Sequence, residues 1–310
     1  MSNKKIRGQH YVWRYYLQAW ADGAGVLYCL RDGRVFPVQP KDVAKERDFY
    51  RLKSLTQEDI AFIEMFAIKP AAAHLQKQHR NLITAFARIT RLSDAANLSL
   101  PNGHEVRKAL DIAVNNAEEI LHGGIEQSAQ KYLDALRNGD ASFFPDDRAL
   151  PNFLYYLSAQ HFRTKGLKEK LFEKSYPLGT SAYLEKTWNV LNHIFAANLG
   201  WSLYAERTQH QLIILENDTG IPLLTTDQPT INIHANGDDQ PPERLAFYYP
   251  LSPHLAMLLL DEPPQDRATF SRKLTVAEVK SYNRTMVERS YQMVFSADRQ
   301  QLESIQRMAG

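Results

Sequence analysis

The spacing of hydrophobic positions changes twice along the chain and divides it into three stretches. In residues 1–55, Val12, Tyr15, Tyr16 and Trp20 recur at helical intervals, which predicts a short helix over 11–20 with Arg14 and Gln18 on another face. Two apolar runs, 26–31 and 34–38, then flank Asp32-Gly33, a pair that favours a type I′ turn because both central residues need positive φ. A β-hairpin is expected there, with Pro37 ending the second strand or placing it at a sheet edge.

Residues 56–198 read as helical. Thr56 is an N-cap with Asp59 as its reciprocal partner, and the helix runs through Ile60, Ile63, Glu64 and Ala67 to a break near Pro70 before resuming over 71–80. A long helical pattern covers 105–136, with a bend or interruption expected at Gly123-Gly124, and two more cover 154–164 and 182–199. A polar linker over 138–147 separates the long helix from the next. Residues 200–310 switch to period two: 201–206 and 211–216 read as paired strands, and 223–226, 246–249 and 255–260 as further strands. A helix over 276–289, a strand over 291–295 and a terminal helix from about Asp298 close the chain. The expected class is α+β in a single domain: an N-terminal helix and hairpin, a helical middle, and a C-terminal antiparallel sheet with terminal helices.

Composition narrows the class of molecule more than its activity. The 37 basic and 35 acidic residues give a net charge of +2, too mild to imply nucleic-acid or membrane binding on its own. A lone cysteine, Cys29, forms no intrachain disulfide. No apolar signal-peptide core follows the basic start, and no apolar run approaches the ~20 residues needed to cross a bilayer, so a cytoplasmic address is the default. The 14 Phe, 15 Tyr and 4 Trp are the unusual feature.

Walker, dinucleotide-binding, zincin and hydrolase-elbow motifs are absent. The ten histidines show no ligand pattern, with His74 and His79 five residues apart, so a structural zinc site is not expected. Four polar segments carry the candidate chemistry. His10 and Arg14 fall four apart at a helix start, where a proton-exchanging imidazole and an anion-holding guanidinium would share a face; a capping histidine and a carboxylate-paired arginine is the equal alternative. Gln160, Arg163 and Thr164 share a face at the end of an aromatic helix, suited to bidentate anion recognition or to a helix-dipole contact. Asp227 follows a hydrophobic strand and two hydroxyls, as a catalytic carboxylate or as the cap of its own loop. Glu64 has apolar neighbours on both sides and faces Arg14 or Arg163, or else solvent.

These segments resemble the domain of unknown function 4238 family. The resemblance rests on Gln9-His-Tyr-Val-Trp-Arg-Tyr-Tyr-Leu17 followed by Trp20, on Gln160-His-Phe-Arg-Thr164, on Thr225-Thr-Asp-Gln-Pro229, on Pro250-Leu-Ser-Pro253 and on a helical Asn283. It departs from the family pattern at Trp13, Lys165 and Thr226, none of which removes a titratable group. Similar family members are standalone bacterial proteins linked to anti-phage defence, which implies an effector or sensor that answers a phage-derived trigger.

The function expected on these grounds is a defence effector that cleaves a phosphodiester, in RNA before DNA, through His10, Arg14, Glu64, Gln160, Arg163 and Asp227. His10 would move the proton, Arg14 and Arg163 would neutralise phosphate, and Asp227 would orient His10 or join Glu64 in holding a divalent cation. Two alternatives stand beside it. One is a non-enzymatic sensor that binds a phage protein, with the same residues as a buried structural network. The other is a hydrolase or transferase acting on a small nucleotide, which needs one compact anion pocket and is compatible with the +2 charge.

Overall fold

The computed structural model describes residues 4–173, 180–235, 242, 244–263 and 269–309. Its first element is extended, and the helical reading of 11–20 holds from Arg14 onward. β1 (Gly8–His10) leads into Tyr11 and Val12, whose backbone N–H groups donate to the carbonyl of Ala44. Those bonds tie Tyr11 and Val12 to the segment that ends at Ala44. α1 (Arg14–Leu17) therefore begins only after Trp13, which is extended at φ −60° and ψ 125°, and it passes into a 3-10 turn, Gln18–Trp20. His10 and Arg14 thus do not share a helix face.

The hairpin forms as expected. Asp32 and Gly33 take φ values of 51° and 67° between β2 (Leu27–Arg31) and β3 (Arg34–Val38). β3 lies at the edge of its sheet, where Pro37 costs no ladder bond. β4 (Lys45–Arg47) pairs antiparallel with β1.

In the helical middle, α2 (Gln57–Ile63) begins with the expected capping box between Thr56 and Asp59 and continues as a π-helical turn, Glu64–Ile68, that ends before Pro70. α3 (Ala73–Ser99) and α4 (Glu105–Arg137) follow. α4 runs unbroken through Gly123-Gly124. The ~1 kcal/mol that each glycine costs a helix interior is offset by burial of Ile125, Ala129, Tyr132, Leu133 and Leu136 just beyond. α5 (Leu150–Phe162) ends with Arg163 as its C-cap, and α6 (Lys165–Glu173) follows at once. α7 (Thr180–Ala205) absorbs residues 201–205, part of a stretch whose alternation suggested a strand. Close packing holds it helical: a Cβ on Gly200 would lie 3.1 Å from the Cα of Tyr155 on α5.

The C-terminal region supplies two sheets rather than one. β5 (Gln211–Glu216), β6 (Thr225–Thr226), β7 (Ile231–Asn232), β8 (Ala246–Ser252), β9 (Leu255–Leu260) and β10 (Thr269–Lys273) are followed by α8 (Val276–Arg289), β11 (Val294–Ser296) and α9 (Arg299–Ala309). The five-stranded sheet has the order β10-β5-β9-β8-β7 and is antiparallel except for its edge, where β10 runs parallel to β5. The four-stranded sheet, β3-β2-β11-β6, joins the N-terminal hairpin to C-terminal strands. The largest core cluster spans α1, α4, α5, α7 and both sheets, and is rich in aromatics, with Tyr16, Trp20, Phe153, Tyr156, Tyr249 and Phe295 all fully buried. Among the described residues no helix is long and apolar enough to cross a membrane.

Candidate functional site

A polar stripe on α4 meets α7 in the helical region. Glu118, His122 and Glu126 recur every four residues, so they lie along one face of α4, with Glu119 beside them. From α7, His193 brings its ring to 4.7 Å from that of His122, between centroids. The Glu118 carboxylate lies 3.6 Å from Nε2 of His122 and 3.4 Å from Nε2 of His193. Glu118, His122 and His193 are exposed by only 0%, 1% and 3%. Two α7 amides orient the carboxylate: Asn192 donates to Oε1 at 2.9 Å, and Asn189 donates to Oε2. Burial disfavours an ionised Glu118, but the two imidazoles outweigh it and hold the carboxyl at about 2. Burial, followed by the charge of Arg163, pushes His122 down to about 3, so it is neutral near pH 7.

Arg163 fills the next layer. Its guanidinium donates to the hydroxyl of Tyr50 at 3.0 Å, to Glu126 and to the backbone carbonyl of His10. The Tyr50 hydroxyl in turn donates to the same carbonyl, and its ring lies tilted against that of His122, 4.7 Å between centroids. Gln9 fixes this layer from the N-terminal strand: its side chain accepts from the N–H of Tyr50 at 2.6 Å and donates to the carbonyl of Asn115 at 2.7 Å. Glu119, which faces Arg163 and both neighbouring glutamates, is pushed up to about 7, chiefly by burial.

A cavity of about 370 Å³ opens beside this cluster. Glu118, Asn189 and Asn192 line it together with Trp188, Lys168 and the segment from Glu46 to Lys53. Lys168 makes no ion pair among the described residues; its ammonium lies over the ring of Phe49 at 4.6 Å.

The six residues singled out in the sequence are not assembled into one site. His10 contributes its backbone carbonyl to Arg163, while its ring contacts the Lys41 carbonyl at 3.1 Å. Arg14 is exposed and makes no ion pair among the described residues. Glu64 is engaged by Arg80 on a separate groove lined by Ile60, Ile83, Arg88 and Arg91, where none of the other five lies. Asp227 is buried and accepts from the backbone N–H groups of Tyr291, Gln292 and Met293 at 2.9, 2.8 and 3.1 Å. It caps a neighbouring segment rather than its own loop. Gln160 is fully buried, and neither amide atom has a hydrogen-bond partner.

Residues 8–300 match the profile of a family described as protein of unknown function, DUF4238. The chain belongs to the DUF4238 family. No curated protein and no solved structure matches it. The segments that carried the resemblance now have physical roles in this DUF4238 chain: Gln9 and Arg163 hold the layer over α4, and Asp227 pins β11 to the loop after β6. Asn283 on α8 bonds the N–H of Leu224 and the carbonyl of Pro222. The Glu118, His122 and His193 cluster escaped the sequence reading. Glu118 and His122 are four apart on an expected helix, but His193 lies 71 residues further on, and no spacing rule joins them.

Proposed function

We propose that this DUF4238 protein is a cytoplasmic hydrolase that binds a small phosphorylated ligand of nucleotide size in the cavity beside Glu118 and cleaves it there. One observation carries this reading: a buried carboxylate forms the inner wall of a compact polar cavity that Arg47, Arg51, Lys53 and Lys168 also line. The cavity volume lies within the range of small-molecule sites. Lys168, with no ion pair among the described residues, suits a phosphate oxygen, while Arg51 and Lys53 are paired with Asp111 and Glu185. The net charge of +2 supports a compact ligand over an extended RNA groove. Anti-phage defence is the setting we propose for the reaction.

The test incubates purified protein with mononucleotides, dinucleotides, cyclic dinucleotides and single-stranded RNA and DNA, and follows products by chromatography. Turnover of a nucleotide, with KM raised by Lys168→Ala and kcat lost in Glu118→Gln, is expected. Absence of both binding and turnover with folded protein would refute the reading. A second reading, a non-enzymatic sensor that binds a phage protein, is favoured by one feature: Arg163 and Asp227 direct their hydrogen bonds to structural partners. Phage protection that survives Glu118→Gln would support it.

A further inference from the structure

We propose that Glu118, His122 and His193 bind a single divalent first-row transition ion, of the kind imidazole ligands favour over magnesium or calcium. The two imidazoles lack partners. Both ring nitrogens of His122 and both of His193 are buried without a hydrogen-bond partner. Leaving a buried polar atom unpaired costs about 1–3 kcal/mol; each neutral imidazole carries one lone pair, so an ion beside the carboxylate would satisfy one nitrogen of each ring. One oxygen or nitrogen from each of the three residues lies within 4.8 Å of the others.

The two distances from Glu118 fit an ion. A tetrahedral centre with metal–ligand bonds of about 2.0–2.1 Å has ligand–ligand edges of roughly 3.3–3.4 Å. The edges from the Glu118 oxygen to the two Nε2 atoms are 3.6 and 3.4 Å, longer than good hydrogen bonds and close to coordination edges. Two histidines and one carboxylate form a donor set used by zinc and non-haem iron, not by magnesium, which prefers oxygen ligands. The outer shell is partly built. Asn189 and Asn192 hold both carboxylate oxygens, while the rings of Tyr50 and Phe86 pack against the imidazoles. Glu118, Asn189 and Asn192 also line the cavity, and three protein ligands leave one coordination position of a tetrahedral ion for water or a substrate oxygen. Ion binding by these three residues does not depend on the cavity taking a nucleotide.

The experiment strips the full-length protein of metal with a chelator and titrates it with Co²⁺, Zn²⁺ and Mg²⁺. Saturation at one Co²⁺ per chain, visible absorption bands of a four- or five-coordinate centre, and displacement by Zn²⁺ but not Mg²⁺ are expected. Asn189→Ala, at a half-buried position, is expected to weaken Co²⁺ binding by about 10–100-fold. Glu118→Gln and His193→Ala should abolish it with circular dichroism unchanged. Should those two variants unfold, the wild-type titration and Asn189→Ala decide. No saturable Co²⁺ or Zn²⁺ binding by folded wild type, binding that survives His193→Ala in folded protein, or equal competition by Mg²⁺ would overturn the proposal. Metal uptake without any nucleotide turnover sustains it while removing the hydrolase reading.

Discussion

Arg163→Lys is the sharpest perturbation of the layer beneath the site. The guanidinium makes three bonds at once, to the Tyr50 hydroxyl, to Glu126 and to the His10 carbonyl, in a setting where its side chain is 2% exposed. A lysine ammonium keeps the charge and at best the Glu126 ion pair, because it lacks the planar fork that reaches three acceptors. Two bonds from a charged donor are lost, each worth about 1.5–3 kcal/mol, so the expected cost is about 3–6 kcal/mol. With an unfolding entropy of ~2.1 cal/mol/K per residue over 310 residues, that lowers Tm by about 5–9 °C. Urea titration followed by circular dichroism, together with differential scanning calorimetry, measures both quantities. A Tm shift below about 1 °C, accompanied by loss of ligand binding, would refute the structural assignment and return Arg163 to the anion-holding role its sequence context suggested.

Three further outcomes are expected. Burial lifts the Asp227 carboxyl to about 6 against three backbone N–H donors that favour its charge; the folded state therefore holds a proton that the unfolded chain, titrating near 3.9, has released. Stability from this group falls as pH rises through that window, by about 3 kcal/mol, and Asp227→Asn flattens this part of a urea-denaturation profile measured from pH 4 to 7. Glu64→Gln breaks a half-exposed pair with Arg80 and should cost at most about 1 kcal/mol with catalytic turnover unchanged, checked by urea titration beside the nucleotide assay. Gly166→Ala puts a Cβ 2.0 Å from Nε2 of Gln228 and 2.6 Å from Cβ of Tyr291; overpacking of this kind costs about 1–3 kcal/mol, visible as a lowered urea midpoint.

Local chemistry was legible in the sequence wherever one short segment decides the outcome. Asp32-Gly33 sets its own turn, and Thr56 with Asp59 closes its own capping box, so both elements came out as read. What competes with distant partners did not. The helical period of 11–20 gave way only over 11–13, where the backbone bonds to Ala44, the alternation at 201–206 lost to packing of α7 on α5, and β10 joined its sheet in parallel by a pairing no local pattern encodes. The candidate site divides the same way. Arg163, which the sequence set opposite Glu64 as one possibility, pairs instead with Glu126, 37 residues upstream. Glu118 and His122 looked like ordinary polar positions of a long amphipathic helix until α7 brought His193 across from them.

The four-stranded sheet sets the timetable for assembly during synthesis. β2 and β3 leave the ribosome early, but the strand that pairs with β2, Val294–Ser296, is made last among the sheet's members. At about 5–20 residues per second, the roughly 256 intervening residues take about 13–50 s to emerge. For that interval the inner edge of β2, with its buried-to-be Leu27 and Cys29, is an unpaired template on the nascent chain. A ribosome that stalls before residue 294 releases a chain whose N-terminal hairpin has nothing to close it, and a polypeptide lacking its last twenty residues loses the strand that joins its two ends.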